Sequence, residues 1–354
     1  MPDALLYPYV LAPKTVPAIW GGDALVRRFH KPGDPHAKLG ESWECWDENC
    51  VANGPLRGES VAQLRARLGA ELLGNLDPAQ IFPVLTKIID ARDALSVQVH
   101  PGDAYAQRVE HQPNGKTECW FVLDAQAHAE LVLGWSQDTS REEYERRVAD
   151  GTLGDILRRV PVSVGQTFYL PAGTLHAIGA GIIIFETQQA SDLTYRIYDW
   201  SRVDAHGKPR ELHVQKAGDV LDFHASSAGA IVGLRYTLEG VERQALIADP
   251  RFIVERIQVP TSLRRLTTEG RPLIFMTLDG GIDIRSADGA AHLEPYQTAL
   301  VPALAQDLEI QASGAEAPVM FVTPPARADA MEERLQTAGI EPARIDAFLR
   351  QFTG

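Results

Sequence analysis

A mainly β protein, built from two antiparallel barrels with a few peripheral α-helices, is predicted by three features of this 354-residue chain. Gly and Pro recur at intervals of roughly eight to twelve residues, the punctuation of short strands in a barrel or sandwich. The segments between them read as strands, at 83–89, 95–100, 118–123, 167–170 and 181–187, and they do not alternate with long helices as a doubly wound sheet would require. A short internal repeat completes the case, with QTFYLPA at 166–172 and QTALVPA at 297–303. Two related barrels follow from it. The first is expected over 1–235 with helical insertions and the second over 240–325, with a link near 223–240 and a helical tail at 326–354.

Three segments read as helix. SVAQLRARLGAELL at 60–73 opens on Ser60, a capping residue, and spaces its apolar side chains three and four apart. Residues 140–160 carry the charged face REEYERR, and the tail holds AMEERL and ARIDAFLRQF, separated by Pro342. All three are expected to pack as amphipathic helices on a barrel, the tail covering a barrel edge.

Composition excludes several functions. Hydrophobic residues make up 45% and charged residues 23%, an ordinary globular mixture. No apolar run of about eighteen residues is present, so no membrane partner is expected. The N-terminus lacks the basic and apolar regions of a secretory signal. Three cysteines, none in a Cys-x-x-Cys pair, fit a reducing cytoplasm and argue against a thiolate zinc site. A net charge of −13 argues against nucleic acid as partner. A few local cations can still hold one small phosphorylated ligand.

The residues that carry chemistry lie in three segments. On an extended Ser96-Val97-Gln98-Val99-His100, Ser96, Gln98 and His100 share one face and the valines the other. Lys116 and Glu118 in GKTECW likewise share a face. Taken singly, the first segment also fits a solvent-facing strand and the second a surface ion pair. In GQTFYLPAGTLH (165–176), Pro171 and Gly173 form a tight turn that delivers His176 to the start of a strand. That spacing resembles the second signature motif of the cupins. The usual asparagine four positions later is replaced by Ala180. Together, Gln98, His100, Glu118 and His176 offer an amide oxygen, a carboxylate and two imidazoles, a set suited to zinc or another first-row divalent ion.

QVHPGD, GKTECWFVL, LPAGTLHAIG and ETQQASDLTYRIYDW, with WGG at 20–22 and LGESWE at 39–44, resemble the short bacterial form of type I mannose-6-phosphate isomerases in the cupin superfamily. The resemblance spans roughly residues 5–325. It implies two cupin jelly-roll barrels, and one Zn2+ per chain on Gln98, His100, Glu118 and His176. Arg196 and Glu186 become active-site residues, and Ser96, Lys116 and Arg202 line a sugar-phosphate pocket. In the implied reaction, mannose 6-phosphate and fructose 6-phosphate interconvert through a cis-enediolate. Glu186 is a candidate base, Arg196 would steady the developing charge, and Lys116 would hold phosphate. Asp307 stands where the second barrel's counterpart of His176 would be, so that barrel is expected to be metal-free and structural. The partner is then a small sugar phosphate, and the enzyme a cytoplasmic monomer or homodimer. Isomerisation of another phosphorylated sugar, or a non-catalytic sugar- or metal-binding bicupin, are the alternatives.

Overall fold

The computed structural model describes residues 5–203, 207–324 and 329–352. The expected start of the tail at 326 lies outside them. The protein is mainly β, and its backbone divides into two compact units, each drawn from separated stretches of chain. One comprises residues 15–42 and 87–230. The other comprises 1–14, 43–86 and 231–354. Among the described residues, no helix is long and apolar enough to cross a membrane.

A six-stranded sheet, most of whose residues belong to the first unit, runs in the order Lys14–Gly22, Leu39–Cys45, Val84–Ala91, Ile182–Gln189, Glu118–Ala125, Thr167–Leu170. A five-stranded sheet runs Tyr195–Tyr198, Val97–Val99, His176–Ile178, Glu130–Trp135, Leu157–Pro161. Trp120, Val122, Phe168 and Ile184 of the first sheet cluster with Leu131, Leu133 and Ile178 of the second, so the sheets enclose a common core. Alternation along the strands decides what enters it. Val97 and Val99 turn the other way, into a second cluster with Tyr144 of the helix Arg141–Asp150 and Ala217 of the helix Val214–Val220. The helices therefore cover the outer face of the five-stranded sheet, leaving Gln98 on the inner one.

The second unit pairs a seven-stranded sheet with a four-stranded one. Its interior is apolar, filled by Ile257, Phe275, Ile282, Ile310, Val319 and Phe321. The tail forms the helices Ala330–Thr337 and Pro342–Leu349, with Pro342 in the first turn of the second, where its missing N–H costs nothing. Met331, Leu335, Ile345 and Phe348 bury their side chains against Leu234, Tyr236 and Ile253, so the tail covers the edge hairpin of the larger sheet.

Two helical expectations change in detail. The segment 60–73 splits into Val61–Leu68 and Ala70–Leu73, because Gly69 adopts a positive φ of 52°. Ser60 caps the first piece as expected, its hydroxyl accepting from Gln63 N while Gln63 Oε1 accepts from Ser60 N. The segment 140–160 stays α-helical over Arg141–Asp150, with a short 3-10 turn at Leu153–Ile156. Gly151 ends the α-helix in the left-handed region at φ 69°, and Leu157–Pro161 then joins the five-stranded sheet.

Candidate active site and metal centre

Register places the site. Gln98 lies opposite His176 on one side and opposite Arg196 on the other. Directly opposed residues of antiparallel strands project to the same face, so His176, Gln98 and Arg196 form one row across the five-stranded sheet. On the facing sheet, Glu118 lies opposite Gln188 and Trp120 opposite Glu186, and alternation puts all four on one face.

Between the sheets, His100, Glu118 and His176 are buried with their ligand atoms within 4.8 Å of one another. His100 Nδ1 donates to the Leu193 carbonyl at 2.7 Å, and His176 Nδ1 donates to the Thr174 carbonyl at 2.9 Å. Each ring proton is therefore on Nδ1, and each Nε2 turns a lone pair inward. Those lone pairs lie 3.5 Å from Glu118 Oε2 and 3.3 Å from Glu118 Oε1. Glu118 Oε1 is buried and has no hydrogen-bond donor. The Lys116 ammonium serves Glu118 Oε2 and His100 Nε2, but Glu118 Oε1 faces the His176 Nε2 lone pair acceptor to acceptor, an unfavourable buried arrangement that a second cation between them would relieve. Burial, with Lys116 nearby, lowers both imidazole pKa values, that of His176 to about 4, which keeps the rings neutral as ligands must be. The Gln98 amide lies 3.3 Å from His176 Nε2, and a half-turn of that amide presents its oxygen instead. The four residues fit a divalent metal.

Gln98 and Lys116 also line a cavity of about 340 Å3, together with Ser96, Glu186 and Arg196. Lys116 Nζ donates to Glu118 Oε2 and, at 3.2 Å, to His100 Nε2. Glu186 is buried and accepts from Trp120 Nε1 at 2.9 Å. Burial raises its pKa, opposed by Lys116 and reinforced by Glu118. Lys87 lines the cavity too. Burial works against its charge, but Glu41 at 3.1 Å, Glu186 at 3.7 Å and Asp192 outweigh burial and raise its pKa.

Residues 10–130 match the family described as phosphomannose isomerase type I, catalytic domain. A mannose-6-phosphate isomerase of Streptococcus mutans is 41% identical over 255 residues, which span 71% of this chain and 78% of the relative. The chain belongs to the type I phosphomannose isomerase family. Mannose-6-phosphate isomerase ManA of Bacillus subtilis is 44% identical over 208 residues, 58% of this chain and 64% of that one. The crystal structure of the mannose 6-phosphate isomerase from Bacillus subtilis superposes with a TM-score of 0.80 at 31% identity, covering 89% of this chain and 99% of that one.

Of the residues expected at the site of this phosphomannose isomerase family member, Ser96, Lys116, Glu186 and Arg196 line the cavity, and His100, Glu118 and His176 cluster beside Gln98. Arg202 is not brought to the lining. Its guanidinium donates to Asp199 Oδ1 at 2.5 Å and to the Ala94 carbonyl at 2.6 Å. The cavity gains Trp20, Glu41 and Arg210. Trp20 and Glu41 lie in the WGG and LGESWE segments, so a signal for them existed. Arg210, in KPRELH, carries none in its spacing.

Proposed function

We propose that this chain interconverts mannose 6-phosphate and fructose 6-phosphate as a metal-dependent aldose–ketose isomerase, with one zinc ion held by Gln98, His100, Glu118 and His176. Supporting the metal is the buried convergence of two inward-facing imidazole nitrogens on Glu118, whose Oε1 has no donor. The two sheet pairs are read as two cupin barrels, the first of which carries the site. A divalent ion bound there would supply a Lewis acid for the sugar's carbonyl oxygen.

The chain's own residues supply the rest. Removing the proton α to that carbonyl needs a base whose pKa lies close to the working pH. Glu186 is a buried carboxylate with a raised pKa on the cavity wall, and Trp120 fixes the orientation of one of its oxygens. It is the candidate to move a proton between C1 and C2 through a cis-enediolate. Lys116 sits among the ligand groups, which suits it to the reacting end of the sugar and away from the phosphate. Arg196, opposite Gln98 in the row, remains a cation beside the developing charge. An arginine is too weak an acid to shuttle the proton.

A coupled assay of mannose 6-phosphate turnover tests the reading, before and after chelation and with zinc restored. Turnover should vanish on chelation and return with zinc. The acidic limb of kcat/KM should lie above the ordinary glutamate pKa of about 4.3, because a raised pKa leaves Glu186 protonated, and inactive as a base, to higher pH. A folded, zinc-loaded protein without turnover would sink the proposal.

A further inference from the structure

Four cations line the cavity, and they differ in how far their charge is matched. Lys87 is held by Glu41 and Glu186, and Lys116 by Glu118. Arg196 and Arg210 share less. Arg210 donates from Nε to Asp199 Oδ2 at 2.7 Å and from Nη2 to Asp199 Oδ1 at 2.6 Å, a two-pronged grip that fixes the guanidinium plane. Arg202 uses the same buried carboxylate. One carboxylate thus serves two guanidiniums, and Arg196 adds a third positive charge close enough to be felt. Arg210 Nη1 makes no hydrogen bond among the described residues, and the Nε of Arg196 is buried without an acceptor. Glu211 is a second carboxylate felt by Arg196, so three guanidiniums face two carboxylates, and the arginine end of the cavity holds surplus positive charge and unused donors. The lysine end does not.

We propose that Arg210, aimed by Asp199, is a specificity-determining residue that binds the phosphate of the substrate at the arginine end of the cavity and so selects phosphorylated over free sugars. This rests on the sugar-phosphate reading above and adds where the phosphate goes. A dianion there meets a pre-oriented fork, and the side-chain ordering is already provided by Asp199.

The test uses the full-length zinc-loaded protein. Arg210→Gln keeps a hydrogen-bond donor toward Asp199 and removes the charge. It should raise KM for mannose 6-phosphate about 10- to 100-fold while kcat stays within about threefold, the signature of lost ground-state binding. Inorganic phosphate, followed by titration calorimetry, should weaken by a similar factor. Arg210→Lys, which keeps charge without the fork, should fall between the two proteins and stands in if the glutamine variant does not fold. Asp199→Asn should raise KM with kcat preserved, by less than Arg210→Gln. KM and phosphate affinity within twofold of the unsubstituted protein in the folded arginine variants would overturn the proposal, as would a fall in kcat at unchanged KM. Should the unsubstituted protein bind phosphate yet fail to turn over mannose 6-phosphate, the reaction assignment fails, and the calorimetric arm still decides whether Arg210 is the phosphate residue.

Discussion

In both units a strand of four residues, Thr167–Leu170 in one and Thr298–Val301 in the other, is entered and left by the same local structure. Gln166 Oε1 accepts from Ser163 N at 2.8 Å, and Gln297 Oε1 accepts from Glu294 N at 3.1 Å. Pro171 and Pro302 then begin matching turns. Beyond the turns the two part company. After Pro171 the strand resumes at His176, which is 1% exposed. After Pro302 it resumes at Glu309, two positions further along the pattern, and Asp307 is left exposed at a positive φ of 50°. A two-residue delay thus separates a turn that delivers a buried imidazole from one that delivers only the apolar Leu308 to the interior. The remaining space in the second unit is filled by side chains such as Phe275 and Phe321, whose rings meet edge to face at 4.9 Å. Polar side chains buried without partners are costly, so the first interior is retained at a loss of stability and the second is free to maximise packing.

The largest test of this contrast exchanges the two counterparts. His176→Ala should abolish turnover and bound metal, read by mass spectrometry of the purified protein, whereas Asp307→Ala should leave both unchanged. Metal retained in the His176 variant would break the comparison at its centre. Next in size is Phe275→Ala, expected to cost about 3–5 kcal/mol in denaturant unfolding because it opens a cavity in a closely packed interior. A loss below about 1 kcal/mol would show that this interior is less tightly filled than its burial implies. The smallest effect sharpens the shared part. Gln166→Ala and Gln297→Ala should each cost roughly 1 kcal/mol, and by similar amounts, since each removes one side-chain bond to a turn amide. Unequal costs would mean that the seven-residue likeness is superficial.

The legible parts of this protein were those with local causes. Alternation along 96–100 separates Gln98 from its flanking valines, and the spacing from Gly165 to His176 predicts a turn that the backbone makes. The carboxylate at Glu118 was readable only by joining separate segments. What stayed hidden depends on contacts between distant residues. Lys87 could be surface or pocket from its strand alone, and Glu41 and Glu186, far from it in sequence, decide the matter. Arg202 and Arg210 are both arginines near one aspartate, and only the chain path determines which reaches the cavity. The grouping of residues 43–86 with residues 231–354 likewise has no local signature.

The groups that orient the two imidazoles are the carbonyls of Leu193 and Thr174, which belong to the main chain. Every amino acid carries that carbonyl, so no single codon change at either position deletes it. Random mutagenesis should therefore find the ligands themselves readily but seldom their supports. Attempts to retune the centre for a different ion by point substitution have little to work on at those two positions. Insertions or deletions that shift the 171–175 or 190–194 loops are the changes able to reach it, and a lineage that lost the metal would be expected to show altered loop lengths there before altered residues.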